Sequence, residues 1–241
     1  MKRGITPTVT PVVELSRSVR NEMLQLMQRY YDRISAERFH SDLAAKNFAV
    51  LLHDRSCQLV GFSTVGIWQD QFDGRVIQIM YSGDTIIDHR HWGSPAFASS
   101  WLKLAARIKD AAPHMPLYWF LIVKGHRTYR HLSVFARRYY PAWNSETPPE
   151  ISGLMRHLGT AKFGHAYDAE KGIVHFSESQ GHLLPRWATI PDKDAVRPEV
   201  RFFAAKNPGY ISGDELVCLA EITADNMRPF ARRIFERAAR G

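Results

Sequence analysis

Asp84-Thr85-Ile86-Ile87-Asp88-His89-Arg90-His91-Trp92-Gly93-Ser94-Pro95-Ala96-Phe97 joins a strand-forming run to the start of a helix. A β-rich run enters a tight glycine turn, and Phe97, Trp101, Leu104, Ala105 and Ile108 then recur at helical spacing. The first turn of a helix leaves N–H groups unpaired, and the helix dipole is positive there, so a strand that opens straight into a helix builds an anion site from backbone. Pro95 suits that first turn through its fixed φ but removes one N–H. Arg90 and His91 flank the turn with positive charge.

Upstream, Leu15 to Ile34 carries Val19, Met23, Leu26, Met27, Tyr30 and Ile34 on one helical face, and a shorter helix is expected over Ala36 to Lys46. Asn47 to His53 and Cys57 to Ile67 read as a hairpin around the polar Asp54-Arg55-Ser56 turn, and Val76 to Ile87 as the third strand. Downstream, Pro113 and Pro116 end the helix. Leu117 to Val123 is almost continuously apolar, as a strand buried on both faces should be. A further helix is expected from Thr128 to Tyr140, stopped by Pro141.

Ala142 to Pro149 is a polar, proline-rich connection, Glu150 to Leu158 a short helix and Gly172 to Phe176 a strand. Gly181 to Pro198 lacks periodicity and reads as loop. Val200 to Ala205 and Leu216 to Ile222 read as strands, and Ala224 to Arg240 as a helix with a stripe of Arg228, Arg232, Arg233, Arg237 and Arg240.

The 241 residues suffice for a full core, and 45% of them are hydrophobic. No run approaches the ~20 apolar residues of a membrane span, and no leader pattern opens the chain, so a cytoplasmic protein is expected. Cys57 and Cys218 sit in apolar contexts and read as buried thiols, not a disulfide. The net charge of +8 points to an acidic partner without choosing among coenzyme A, an acidic carrier protein and nucleic acid. His89-Arg90-His91 has the spacing of a metal edge but lacks a third ligand, so no metal is expected. Dinucleotide, P-loop and nucleophile-elbow motifs are missing.

Arg90-His91-Trp92-Gly93-Ser94-Pro95 resembles the acyl-CoA pyrophosphate loop of the GNAT superfamily of N-acyltransferases, Gln/Arg-x-x-Gly-x-Gly/Ala, with Pro95 replacing the second small residue. The order helix, helix, hairpin, strand, glycine turn, helix, strand, helix resembles the core of that family. The resemblance implies an α/β fold with a mixed, mostly antiparallel sheet flanked by helices. It places an acyl-CoA-binding core in residues 1–141. Residues 142–241 then complete the sheet, with an insertion at about 142–197 and a basic C-terminal helix. It also implies that two central strands splay apart. The pantetheine arm of the cosubstrate then lies along the open edge formed by Thr85, Ile86 and Ile87 beside Asp84, with its phosphates on Arg90, His91, Trp92, Gly93, Ser94 and Ala96.

The implied reaction is direct transfer of an acyl group from acyl-CoA, or from an acyl carrier protein, to a small-molecule or peptide amine, without a metal or a covalent enzyme intermediate. An amine must lose a proton to attack, which asks for a base; a backbone N–H can stabilise the oxyanion and a weak acid can protonate the thiolate. Asp84 is the leading base, with Asp88 and His89 behind it. The family commonly supplies the acid as a tyrosine on the last core helix, where this chain has Phe135; Tyr129 is the substitute, ahead of Tyr139 and Tyr140. The acyl group is open, with medium or long chains accommodated by an aromatic insertion (Trp143, Phe163, Tyr167, Phe176, Trp187). The competing class is a catalytically silent acyl-CoA sensor or a basic nucleic-acid-associated protein, favoured by Pro95 and Phe135; nucleic acid is not the expected partner.

Overall fold

The structure is a computed structural model that describes residues 4–239. In chain order the elements are β1 (Thr6–Pro11), α1 (Arg17–Gln28), β2 (Tyr31–Asp32), α2 (Ala36–Ala44), β3 (Phe48–His53), β4 (Leu59–Phe72), β5 (Arg75–Ile87), α3 (Ala96–Ala111), β6 (Leu117–Val123) and α4 (His126–Phe135). They continue with α5 (Pro149–Phe163), β7 (Tyr167–Asp168), β8 (Ile173–Val174), β9 (His182–Leu183), α6 (Pro185–Ala188), α7 (Asp192–Ala195), α8 (Pro198–Lys206), β10 (Glu215–Glu221) and α9 (Pro229–Ala238).

Among the described residues, eight strands form one sheet in the order β1-β3-β4-β5-β6-β10-β8-β7, while β2 pairs with β9. All neighbours in the sheet are antiparallel except β5 and β6. A parallel pair needs a crossover, and α3 supplies it. The mixed, mostly antiparallel sheet flanked by helices is therefore present.

One face of the sheet packs Trp101 and Leu104 of α3, Leu132 and Phe135 of α4, Phe203 of α8 and Phe235 of α9. The other face carries two separate apolar clusters. Met23, Leu26 and Met27 of α1 with Phe39 and Leu43 of α2 cover Leu51, Phe62 and Ile86. Leu154, Met155 and Leu158 of α5 cover Ile77, Ile79, Tyr81 and Phe120. The gap between these clusters is where the cavity described below lies.

Several local readings change. The helix expected over Leu15 to Ile34 ends at Gln28, and Tyr30 reaches the core from the connection beyond it. α4 ends at Phe135, because Ala136 and Tyr140 are drawn into β-bridges with Met227 and Leu219. Val200 to Ala205 is part of helix α8, started by Pro198, with Val200 and Phe203 buried three residues apart. The strand that pairs with β10 on its outer side is β8 instead. Cys57 lies exposed in the β3–β4 turn at φ 60°, whereas Cys218 is buried. Of the C-terminal basic stripe, Arg232 is tied to Glu236 and Asp225, and Arg240 lies outside the described residues. No helix among the described residues is long and apolar enough to cross a membrane.

Candidate active site

The parallel pairing of β5 with β6 runs from Gln78 opposite Leu117 to Ser82 opposite Leu121 and then stops, although β5 continues to Ile87. The cause is a bulge. Ser63 faces Thr85 and Val65 faces Ser82 across the β4–β5 ladder, so Gly83 and Asp84 together oppose Thr64. A side chain at Gly83 would collide with Thr64 Oγ1 and approach Lys46 Cε to 2.7 Å, so only glycine fits there. The bulge turns β5 away from β6 and opens a wedge.

Beyond the bulge, the Asp88 N–H donates to the Val60 carbonyl at 2.8 Å. Antiparallel register alternates, so Ile86 also turns its backbone groups to β4, while Thr85 and Ile87 turn theirs to the wedge. The Ile86 side chain is buried under α1. Thr85 and Ile87 thus form an open strand edge on the β6 side. The Ile87 carbonyl already accepts the indole N–H of Trp92 at 2.8 Å.

The turn after β5 is held by Asp88. Its buried carboxylate accepts from the Arg90 N–H at 3.0 Å and from the Arg90 guanidinium at 2.9 and 3.0 Å, with Arg29 at 3.7 Å. These hydrogen bonds outweigh burial and hold the Asp88 carboxyl down at about 2. The N–H groups of His91, Trp92, Ser94 and Ala96 are also bonded within the turn, the last to Ser94 Oγ. Gly93 takes φ 82°, which favours glycine. Among the described residues, Gly93, Phe97 and Ala98 keep N–H groups without a partner at the start of α3. The Arg90 guanidinium beside this turn donates to Asp88, and Pro95 has no N–H to offer.

On the α1/α5 face, a cavity of about 330 Å³ opens onto the wedge. Its floor is Gly83, Asp84 and Thr85 of β5 with Ile122, Lys124 and Glu215; Arg38 and Asp42 wall one side, Lys162 and Phe163 the other. Glu215 pairs with Lys124 at 3.2 Å, and Asp42 pairs with Lys46 at 2.6 Å. Asp84 alone of these carboxylates has no hydrogen-bond or ion-pair partner among the described residues. Burial, and then the Asp42 charge, push its carboxyl up to about 6 against the pull of Lys124 and Lys46. Burial also raises Glu215, opposed by Lys124. On the opposite side of the wedge lies a small void of about 20 Å³ lined by Phe97, Trp101, Trp119, His131 and Phe135. Thr128 lines both spaces.

The other proton-transfer candidates are not brought to Asp84. His89 lies outside the cavity, its N–H donating to Tyr30 Oη at 2.7 Å and its ring 5.0 Å from that of Trp187. Tyr129 is fully buried, and its hydroxyl donates to the Pro141 carbonyl at 2.7 Å. Its ring faces Phe202 and Phe203 of the α8 packing layer. Tyr139 is buried against Tyr129. Glu215, Lys124, Lys162 and Thr128 carried no motif in the sequence; the signals available were a charge at a strand boundary and a hydroxyl in the first turn of α4.

The segment after β9 crosses the far end of the wedge. Trp187 packs on Tyr30, His89 and Trp92, and Arg127 donates to its carbonyl at 2.9 Å while stacking 4.4 Å above Trp92. The region read as loop is therefore a strap that joins the end of α1 to the start of α4.

Neither a family model nor a curated protein matches the chain. Among solved structures, it is similar to Arabidopsis thaliana NAA60 in complex with a bisubstrate analogue, at 17% identity and TM-score 0.40, over 56% of this chain and 86% of that one. It is similar to the GNAT family N-acetyltransferase YhbS of Escherichia coli in complex with CoA, at 11% identity and TM-score 0.39, over 56% and 71%. It is also similar to a conserved protein of unknown function from Enterococcus faecalis V583, named a probable N-acyltransferase, at 16% identity and TM-score 0.40; the match covers 56% of this chain and 33% of that longer one. The strand order, the β5–β6 pair that opens at a bulge and the glycine turn leading from β5 into α3 give the mixed, mostly antiparallel α/β architecture that the sequence resemblance implied.

Proposed function

We propose that this protein transfers an acyl group from an acyl-CoA thioester to an amine by direct attack, with Asp84 as the base. The observation that carries the reading is the position of Asp84. An unpartnered carboxyl raised to about 6 sits on the floor of a cavity, next to the open strand edge at Thr85 and Ile87.

Bound there, acyl-CoA supplies an activated carbonyl with a thiolate leaving group. The edge groups of Thr85 and Ile87 hold an extended amide-containing arm as a neighbouring strand would. A phosphate rests on the N–H groups of Phe97 and Ala98 at the positive end of α3. Asp84, ionised above pH 6, accepts the proton that the attacking amine loses as the C–N bond forms and the C–S bond breaks. Thr128 stands where cavity and void meet and donates a hydrogen bond to the departing sulfur. A free thiol titrates near ~8.5, so the thiolate leaves without a strong acid, consistent with Phe135 at the usual tyrosine position. The void of about 20 Å³ under Trp101, Trp119 and Phe135 favours a short acyl group over the medium or long chains that the aromatic insertion suggested.

A silent acyl-CoA binder is the second reading, favoured by the turn whose N–H groups are mostly bonded internally. Native mass spectrometry with acyl-CoAs from acetyl to palmitoyl and with an acylated carrier protein, followed by a thiol-release assay with amines, tests both. A short-chain adduct with amine-dependent thiol release supports transfer. An adduct without release supports the silent binder, and no adduct with any donor sinks both.

A further inference from the structure

The cavity is lined by three cations, Arg38, Lys124 and Lys162, and by three carboxylates, Asp42, Asp84 and Glu215, two of which already have ion-pair partners, one of them the buried Lys46 outside the lining. Asp42 is matched by Lys46, and Glu215 by Lys124. Asp84, Arg38 and Lys162 are left. The Arg38 guanidinium donates to the Ser179 carbonyl at 2.6 Å, which does not neutralise it. Lys162 stands at the exposed rim with its ammonium 4.3 Å from the centre of the Tyr81 ring and 5.3 Å from that of Trp68, and no carboxylate pairs with it among the described residues. Aromatic faces attract a cation without cancelling its charge.

A simple amine, which arrives protonated, would therefore enter a cavity with one unmatched carboxylate on its floor and two unmatched cations on its walls. It would gain at Asp84 and lose at the rim. An acceptor that carries an anionic group beside its amine satisfies both ends, amine down toward Asp84 and anion outward toward Lys162 and Arg38.

We propose that the acceptor is an amino-acid-like zwitterion whose carboxylate is held by Lys162 and Arg38 while its amine faces Asp84. The proposal rests on the acyl-transfer reading for the identity of the cavity, and its residues come from three separate parts of the chain: α2 for Arg38, β5 for Asp84 and the insertion helix α5 for Lys162. Lys162 and Arg38 act in recognition, away from the atoms that react.

The test compares amino acids with their decarboxylated counterparts, phenylalanine with phenethylamine and serine with ethanolamine, first by binding and then by turnover with acetyl-CoA. Binding is followed by thermal shift and calorimetry, which need no reaction. The wild-type protein is expected to prefer the carboxylate-bearing member of each pair by about tenfold or more, the scale of one charge-assisted hydrogen bond. Lys162→Met, which keeps the stem and removes the charge, is expected to erase most of that preference, and Lys162→Arg to restore it. Equal binding within each pair, or a preference that survives both Lys162→Met and Arg38→Met, overturns the proposal. Discrimination in binding with no thiol released by any amine keeps the recognition site and overturns the transferase reading instead, so the two failures are distinguishable.

Discussion

The indole N–H of Trp92 donates to the carbonyl of Ile87 at 2.8 Å, so a side chain from the glycine turn takes up an acceptor on the open edge of β5. Arg127 lies over the same indole, and Trp187 packs against it. Turn, strap and the start of α4 therefore meet on the edge that is proposed to receive the donor.

Removing that indole N–H while keeping an aromatic ring frees the carbonyl. Trp92→Phe is expected to tighten binding of acetyl-CoA about fivefold, the worth of one neutral hydrogen bond. Calorimetric titration measures it; unchanged or weaker binding would show that the donor does not use the Ile87 edge.

Asp84→Asn is expected to lower kcat about 100-fold or more with donor affinity retained, the usual scale for a general base. In the wild type, kcat/KM should rise with pH and level off above about 6, and the variant should lose that limb. The stability change has a definite sign as well. The folded carboxyl lies above its ordinary range, so the folded state holds the proton more tightly and stability falls as pH rises toward 6. The variant should melt higher than wild type at pH 8 and gain nothing at pH 4, by calorimetric scans at both values.

Asp88 behaves oppositely. Its folded carboxyl is held at about 2, below the ordinary carboxylate range, so its stabilisation is complete above that range and disappears as pH falls through about 2. Asp88→Asn is expected to cost about 1–2 kcal/mol at pH 7, the value of its charge-assisted bonds to Arg90. Denaturant melts at pH 7 and pH 2 should show the difference at the first value only.

His131 lines the apolar void against Phe97 and Phe135, and burial pushes it down to about 4. A histidine kept neutral in the folded state adds stability above its unfolded value of ~6.5, and this is lost as pH falls toward 4. His126 is likewise pushed down to about 4 by burial, so His131→Phe should reduce, without abolishing, the loss of stability between pH 6.5 and 4, as followed by thermal melts across that range; an unaltered slope would remove His131 from the acid response.

The legible part of the molecule was local. The run from Asp84 to Phe97, the continuous apolar strand Leu117 to Val123 and the proline stops at 113 and 116 each state their conformation within a few residues. Val200 to Ala205 does not, because a short apolar run fits strand or helix equally and only its burial on one side settles which. Tyr129 illustrates the same limit: helical spacing shows that it faces inward, but not whether inward means the wedge or the α8 layer, and the structure puts it in the latter.

Readable from neighbouring residues were the strand–glycine turn–helix junction, the order of the main elements from α1 to α4 and an aspartate near the end of β5, since backbone sterics, capping and period are local properties; the edge strand β1 was not. Only the tertiary structure decided that the bulge at Gly83 would open the sheet and that Glu215 and Lys124 would pair beside Asp84. It likewise decided that Lys162 of α5 would reach the same cavity, and that Arg90 would donate to Asp88. These are relations between distant segments, set by how the sheet twists and which helix covers which face, and desolvation of Asp84 exists only once those segments have closed around it.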